Sequence, residues 1–503
     1  MKVSLEEIIE SYLDGSLSEQ QKLAFAEKLD ADPSMRESFV RYLEESHDLA
    51  IVAAEARQPA PVERPRFRPT IIRRAMFLAA SAAAIFLLGF VFFFSRPAGE
   101  NGLAYKPSTV GRVTSGELAM EGRTDAFRIG QLVPPGLIET RDQSAAVQFD
   151  NGSSIALFPG ARADLTGIAE LRLLQGRISG QTGEGANELV VHLGENTITD
   201  LGTGFGVEIA ENGDTEVHVL EGTVRLEGRH LRKQLLTEGN ALRLRAEREA
   251  ESIPLQADAF ASEFREPDLG PVGFVHYSFD DPTGGAFEDT GARISDGPFA
   301  AAPTDAERPP HSVQARFGKG VTFEEGHGLD STFPGIGGDQ SRSIAVWIKV
   351  DQSENTMSLI RWGKRKEAQR WEVLLKANRD GSLVTRTEIG NGYVLGSQNL
   401  ADGKWHHFVS VYLGGNEGTV EQRIRHYVDG ELDPIQRYQP NSADIDTSIE
   451  GDSGMQIGRY RLDKSRYPFS GIMDEVYVFD RALTPLEVRE LYRDNQPPSV
   501  NSP

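Results

Sequence analysis

LGTGFGVEIAENGDTEVHVLEGTVRLEG, residues 201–228, decides the fold of the middle of this chain. Asn212–Gly213 separates two apolar-alternating runs, a strong hairpin signal. Phe205, Val207 and Ile209 then share one face, and Val217 and Val219 answer them across the hairpin. Gly202, Gly204 and Gly206 resemble a phosphate loop only in spacing, because a dinucleotide fingerprint leads from its glycines into a helix. Here the glycines lead into a strand, and a turn or bulge is the expected use.

The same period of two continues upstream. Ala145, Val147 and Phe149 alternate, DNGS supplies a turn, and Ile155 and Leu157 resume. Leu171 and Leu173, then Leu189, Val191 and Leu193, repeat the pattern. Alternating runs divided by Gly and Asn turns predict an all-β domain over 105–255. Leu201, Gly202, Thr203, Phe205 and Val207, followed by Val217, Val219, Leu220, Glu221, Gly222 and Val224, resemble the core of the FecR domain. DNGSSIAL, RLLQGRI and LLTEGNALRL extend the resemblance to roughly 110 residues. The resemblance implies a domain that senses an outer-membrane transporter and reports to a cytoplasmic head, with no catalytic residue.

Downstream, after a charged break, strand-like pieces recur: SRSIAVWIKV, TMSLIRWG, RWEVLLKAN, KWHHFVSVYL and SGIMDEVYVFD. Their spacing predicts an antiparallel β-sandwich over 270–495. LTPLEVRELYRDN predicts a closing helix with Thr484 as cap and Pro485 at its first position. His406 and His407 are adjacent on a strand, point to opposite faces and cannot bind one ion together. Asp474 and Glu475 are adjacent and placed near a sandwich edge, with Asp480 beyond, so they form no array of alternating catalytic acids. No enzymatic activity is expected. GKWHHFVSVYL, YVDGEL, IGRY and FSGIMDEVYVFDRALTPLEVRELY resemble the LamG-like jelly roll, also called the concanavalin A-like lectin fold. That resemblance implies a glycan or cell-surface protein as partner, often with Ca²⁺ at a rim. Asp280 and Asp474 are the Ca²⁺ candidates, and either can equally be a turn former; no other cofactor is implied.

Upstream of the β region, AMFLAASAAAIFLLGFVFFF (75–94) carries no charge. At about 1.5 Å per residue it spans roughly 30 Å as a helix, the thickness of a bilayer core. Arg57, Arg64, Arg66, Arg68, Arg73 and Arg74 precede it and only Arg96 follows closely. The positive-inside rule then puts the N-terminus in the cytoplasm and the β domains outside the inner membrane. The Pro- and Arg-rich stretch 56–74 reads as a linker. Residues 1–55 read as three short helices with a capping box at Ser18 and Gln21 and an Asp32–Pro33 start. Their apolar stripes, including Leu13, Leu23, Phe39 and Leu43, can pack on one another or hold a partner helix. LEEIIESYLDGSLSEQQKLAFAEKLDADPSMRESF resembles the cytoplasmic head of bacterial anti-sigma factors, which implies an extracytoplasmic-function sigma factor as partner. Many such heads use a zinc motif of His and Cys. This chain has no Cys, so it would be a zinc-free member.

The fold class expected is therefore multidomain and mainly β: a small all-α head, one transmembrane helix, an all-β FecR-like domain and a β-sandwich jelly roll. The formal net charge of −22 argues against direct nucleic-acid binding. Absence of cysteine excludes disulfides and Cys nucleophiles. Two functions fit: a membrane regulator whose outer domains sense a ligand and whose head controls a sigma factor, or a surface carbohydrate-binding or adhesion protein without a regulatory role.

Overall fold

The computed structural model describes residues 103–498 apart from short stretches, the longer of which are 183–187, 364–368, 441–446, 448–453 and 460–466. The helical head with Leu13, Leu23, Phe39 and Leu43, the linker and the apolar run 75–94 lie outside the described residues. Among the described residues no helix is long and apolar enough to cross a membrane. The described part is mainly β, built from antiparallel sheets arranged as sandwiches. Pro485–Asp494 is the one α-helix among the described residues.

The first β domain is organised by the twelve-residue strand Glu170–Gln181. Its first half pairs with Arg162–Gly167 and, in parallel, with Leu189–Leu193. Its second half pairs with Ser154–Leu157 and Gly204–Ile209. At the changeover Gly176 holds φ +83°, and a Cβ there would meet the backbone of Ala161 at 2.8 Å, so only glycine lets the two halves close. The hairpin expected around Asn212–Gly213 forms with Phe205 opposite Val219 and Val207 opposite Val217. A bulge falls between Gly204 and Phe205, as the strand reading of those glycines requires. Phe149, Phe205, Leu171, Val191, Val217 and Val224 are fully buried in one core. Each such side chain contributes roughly 1.5–3 kcal/mol by leaving water.

In the second domain two sheets face each other. One runs Lys319–Phe323, Gly471–Phe479, Arg342–Lys349, Trp405–Tyr412, Ile424–Val428 in neighbour order. The other contains Gly392–Asn399, Leu383–Ile389, Arg370–Ala377 and Met357–Gly363. Between them Val346, Ile348, Phe408 and Val478 interdigitate with Trp362, Trp371, Val373 and Ile389. Strand alternation sends Ala345, Val409, Tyr427 and Phe479 to the far side, where Val488 and Leu491 of the helix cover them. The helix begins as its sequence predicts: Thr484 Oγ1 accepts from Glu487 N, and the Glu487 carboxylate accepts from Thr484 N.

One expectation is corrected. Asp474 and Glu475 do not lie near a sandwich edge, because Gly471–Phe479 runs inside its sheet between Lys319–Phe323 and Arg342–Lys349. Asp474 is fully buried and Glu475 nearly so. A bulge opposite Val346 holds Glu475 at φ +52°. Its Oε2 lies 2.6 Å from His276 Nε2 and accepts from the Tyr477 hydroxyl at 3.3 Å. The period-two pattern EVYVF locates a strand, but edge or centre depends on which partners pair with it.

Candidate functional site

The DNGS turn of the first domain is the natural starting point. Asn151 Oδ1 accepts from Ser153 N and Oγ, so the turn closes without the Asp150 carboxylate. That carboxylate reaches the second domain, where Asp150 Oδ2 accepts from Arg425 Nε at 2.7 Å. Arg425 is 1% exposed and spends its other donors on Tyr105 Oη, Thr109 O and the Gln422 and Ile424 carbonyls. Tyr427 Oη donates to Asp150 O at 2.7 Å. Burial pushes the Tyr105 hydroxyl up to about 12, so it stays a neutral donor and acceptor. Leu103–Ala104, ahead of the first domain, pairs with Arg437–Gln439 of the second. The two β domains are thus one compact unit, held by a buried ion pair and a shared sheet.

A second feature is the outward face of the second domain's larger sheet. Since Trp371, Val373 and Leu375 point inward, Arg370, Glu372 and Lys376 point the other way. Register then lines up Arg361, Glu372, Glu388 and Tyr393 across four strands. Two carboxylates directly opposite each other repel. Arg370 bridges them, with Nε 3.5 Å from Glu372 and Nη2 2.5 Å from Glu388. Arg386 Nη2 lies 2.5 Å from the other Glu388 oxygen, and its guanidinium sits 4.1 Å from the Tyr393 ring centre. Burial, with Arg386 and Arg437 nearby, lowers the Lys376 ammonium to about 8. Glu372 is fully buried, while Tyr393 and Lys376 are partly exposed and Arg437 is exposed. The row offers hydrogen-bonding groups and an aromatic face at its rim. A substrate cannot reach Glu372, which denies this pair the geometry of a glycosidase acid and base.

The sequence did not single out this row, because Glu372 and Glu388 are 16 residues apart and only pairing makes them neighbours. RWE and RTE each place two charged residues two positions apart, Arg370 with Glu372 and Arg386 with Glu388, which was the available signal.

Asp280 and Asp474 both hold the turn at 315–319. Asp280 Oδ1 accepts from Lys319 N at 2.8 Å, and Asp474 Oδ2 accepts from Phe317 N at 2.9 Å. Burial, with Glu475 and Asp280 adding, raises the Asp474 carboxyl to about 8. Calcium takes six to eight oxygens. Among the described residues no group of three or more acidic or imidazole side chains is placed to hold a metal ion. Both carboxylates serve as turn formers through these hydrogen bonds. His406 and His407 diverge as strand geometry demands. His406 lies 2.8 Å from Asp429 and 3.0 Å from Asp402, and the Asp429 contact chiefly raises it. His407 is buried against Trp347, and burial lowers it to about 3.

Two family models match the chain: FecR protein over 137–225, and the concanavalin A-like lectin/glucanases superfamily over 325–489. No curated protein matches the chain. Domain 4 of AbnA, a GH43 extracellular arabinanase from Geobacillus stearothermophilus in complex with arabinotriose, is 18% identical with a TM-score of 0.33. That match covers 44% of this chain and 100% of the other. A candidate anti-sigma factor from Parabacteroides distasonis is 14% identical with a TM-score of 0.22, over 24% of this chain and 61% of that one. The CBM40 of a Ruminococcus gnavus IT-sialidase, bound to alpha2,3 sialyllactose, is 14% identical with a TM-score of 0.24, over 30% of this chain and 82% of its own. The chain joins a FecR domain to a LamG-like, concanavalin A-like domain.

Proposed function

We propose that this chain is a single-pass membrane regulator in which the joined β domains recognise a glycan or cell-surface ligand and the N-terminal head controls a sigma factor. The observation that carries the reading is the buried Arg425–Asp150 pair, which makes the FecR domain and the lectin-type domain one body. A tethered adhesin needs no such lock, whereas a sensor gains from it, because ligand binding on one domain then bears on the other. Orientation follows the arginine flank of 75–94, with the head in the cytoplasm and the β domains outside. The unit acts by binding rather than catalysis. Glu372 and Glu388 are engaged by arginines, and the accessible part of their face is Tyr393, Lys376 and Arg437.

The test is co-purification of the full chain, in detergent, from its native host. Recovery of a sigma factor, lost when Leu13 and Phe39 are changed to Glu, is the expected result. Recovery of none, in a preparation whose β unit binds glycan, would favour the adhesion reading instead.

A further inference from the structure

One end of the first domain's sheet is the strand Gln234–Thr237, which pairs on one side with Thr223–Gly228. Among the described residues no strand pairs on its other side. Alternation decides which backbone groups that side offers. Glu238 N donates to Gly222 O, and the Thr223 carbonyl accepts from Leu201 N on the far side of its own strand. Gln234 and Leu236 therefore turn their backbone groups toward Thr223–Gly228, while Leu235 and Thr237 turn theirs off the sheet. Natural proteins blunt such an edge with charge, proline or a bulge. At the opposite end of this sheet Glu251 of Glu251–Ile253 is ion-paired with Arg245. Gln234–Thr237 has no proline, no charged residue and no break in its register. Leu235 is 63% exposed, more than any other large apolar side chain among the described residues.

The edge is complementary to itself. A two-fold axis through Leu235 lays a second copy of the strand antiparallel to the first. Leu235 then faces Leu235 of the second copy, and their outward N–H and C=O groups exchange two hydrogen bonds. Thr237 faces Lys233 of the second copy, and Lys233 faces its Thr237. The side-chain faces agree, because Leu236 stays on the core face in both copies while the two Leu235 side chains meet on the exposed face. The charges agree as well. No lysine lies opposite a lysine, and each Lys233 stands one position from Glu238 of the second copy, both residues being exposed. The neighbouring register would set Leu235 against Thr237 and Lys233 against Gly239, whose N–H is already spent on Val219 O.

We infer that a second copy of this chain pairs at Gln234–Thr237, continuing the first domain's sheet across a two-fold axis at Leu235. The contact is small, so assembly rises with concentration, as in weak interfaces generally. It does not rest on the regulatory reading, because it needs only this edge. The chain has no cysteine, so a single introduced thiol can form a disulfide only with another copy. The experiment is mild oxidation of the full chain in detergent, carrying Leu235→Cys or Thr237→Cys. Facing residues in such a pair have Cα atoms about 5.5 Å apart, inside the roughly 4.4–6.8 Å span of a disulfide. The two Thr237 positions are offset by four residues along the strands, roughly 13 Å, and out of reach. Covalent dimer should form at least ~10-fold faster in Leu235→Cys than in Thr237→Cys, and a mixture of Lys233→Cys and Thr237→Cys chains should cross-link. In the otherwise unaltered chain, Leu235→Lys and Leu235→Pro should abolish the dimer seen by sedimentation. The proline removes an N–H that points off the sheet, so far-UV circular dichroism should not change. Monomer at every concentration, cross-linking no faster at 235 than at 237, preferential cross-linking of 235 to 237, or a dimer that survives Leu235→Lys would each overturn the assignment.

Discussion

Asp150→Ala removes the only acidic partner shown for Arg425 while leaving the DNGS turn intact, because Asn151 closes that turn. Arg425 is 1% exposed, so the guanidinium it leaves behind has no water to turn to. Four backbone carbonyls and hydroxyls still accept from its other nitrogens, which keeps the loss below that of a bare buried cation. Breaking one side of a buried pair costs about 3–5 kcal/mol, and with those acceptors retained the lower end, about 3 kcal/mol, is expected. That is roughly a hundredfold in the folding equilibrium. The assay is urea unfolding of the full chain followed by two probes. All 4 tryptophans, at 347, 362, 371 and 405, belong to the second domain, so their fluorescence reports that domain, while far-UV circular dichroism reports both. In the parent chain the two transitions should coincide, and in Asp150→Ala they should separate. Adding Arg425→Met to Asp150→Asn should recover at least about 2 kcal/mol relative to the sum of the single changes, because the uncompensated charge is gone. A change under about 1 kcal/mol with coincident probes would refute the claim that this pair joins the domains.

Three further expectations concern stability. His407 and His426 are lowered to about 3 by burial, so the unfolded chain takes up protons first as pH falls. Their stabilisation is intact above about 6.5 and is lost progressively down to about 3, which a urea midpoint measured from pH 8 to 4 should show as a flat region and then a fall. His426→Gln, which can still serve Thr385 and Thr387, should shrink that fall. Asp474 has the opposite sign: its carboxyl is raised to about 8, so its contribution is full below about 4 and is lost as pH rises through 8. Asp474→Asn should match the parent at pH 4 and exceed it by at least about 2 kcal/mol at pH 9, measured by the same unfolding curve. Thr484→Ala deletes a buried helix cap and should cost about 1 kcal/mol by urea midpoint, with Thr484→Ser restoring most of it.

What the sequence made legible was whatever depends on near neighbours. The Asn212–Gly213 hairpin, the DNGS strand pair and the Thr484 cap all formed as their residues predict, since each is settled within about ten residues. The divergence of His406 and His407 followed from strand period alone. Features that depend on pairing across the chain were not legible. Gly471–Phe479 alternates as any strand does, and nothing in EVYVF tells that other strands flank it on both sides. Glu372 and Glu388 became a pair through register, and Asp150 and Arg425 met across 275 residues. A buried ion pair at that separation has no sequence signature, because its stability comes from desolvation that both domains must supply together.

The position of Asp150 also bears on how ligand binding to the β domains would be felt elsewhere in the chain. Before entering the FecR domain, the backbone at Leu103–Ala104 adds a strand to the lectin-type sheet beside Arg437–Gln439. Tyr105, the next residue, donates to the Ile424 carbonyl and accepts from Arg425. The segment that continues toward residue 102 is therefore tied first to the second domain, and the FecR domain is tied to the same arginine through Asp150. Arg425 touches both connections. A ligand that displaced the strand Ile424–Val428 would alter the hold on Tyr105 and on Asp150 together, whereas a ligand that left Arg425 in place would leave both unchanged. On the proposed regulatory reading, the measurable question is whether ligand shifts the protection of the Thr109, Asp150 and Ile424 backbone amides in hydrogen exchange. A ligand that binds without changing that protection would show that recognition and relay do not share this path.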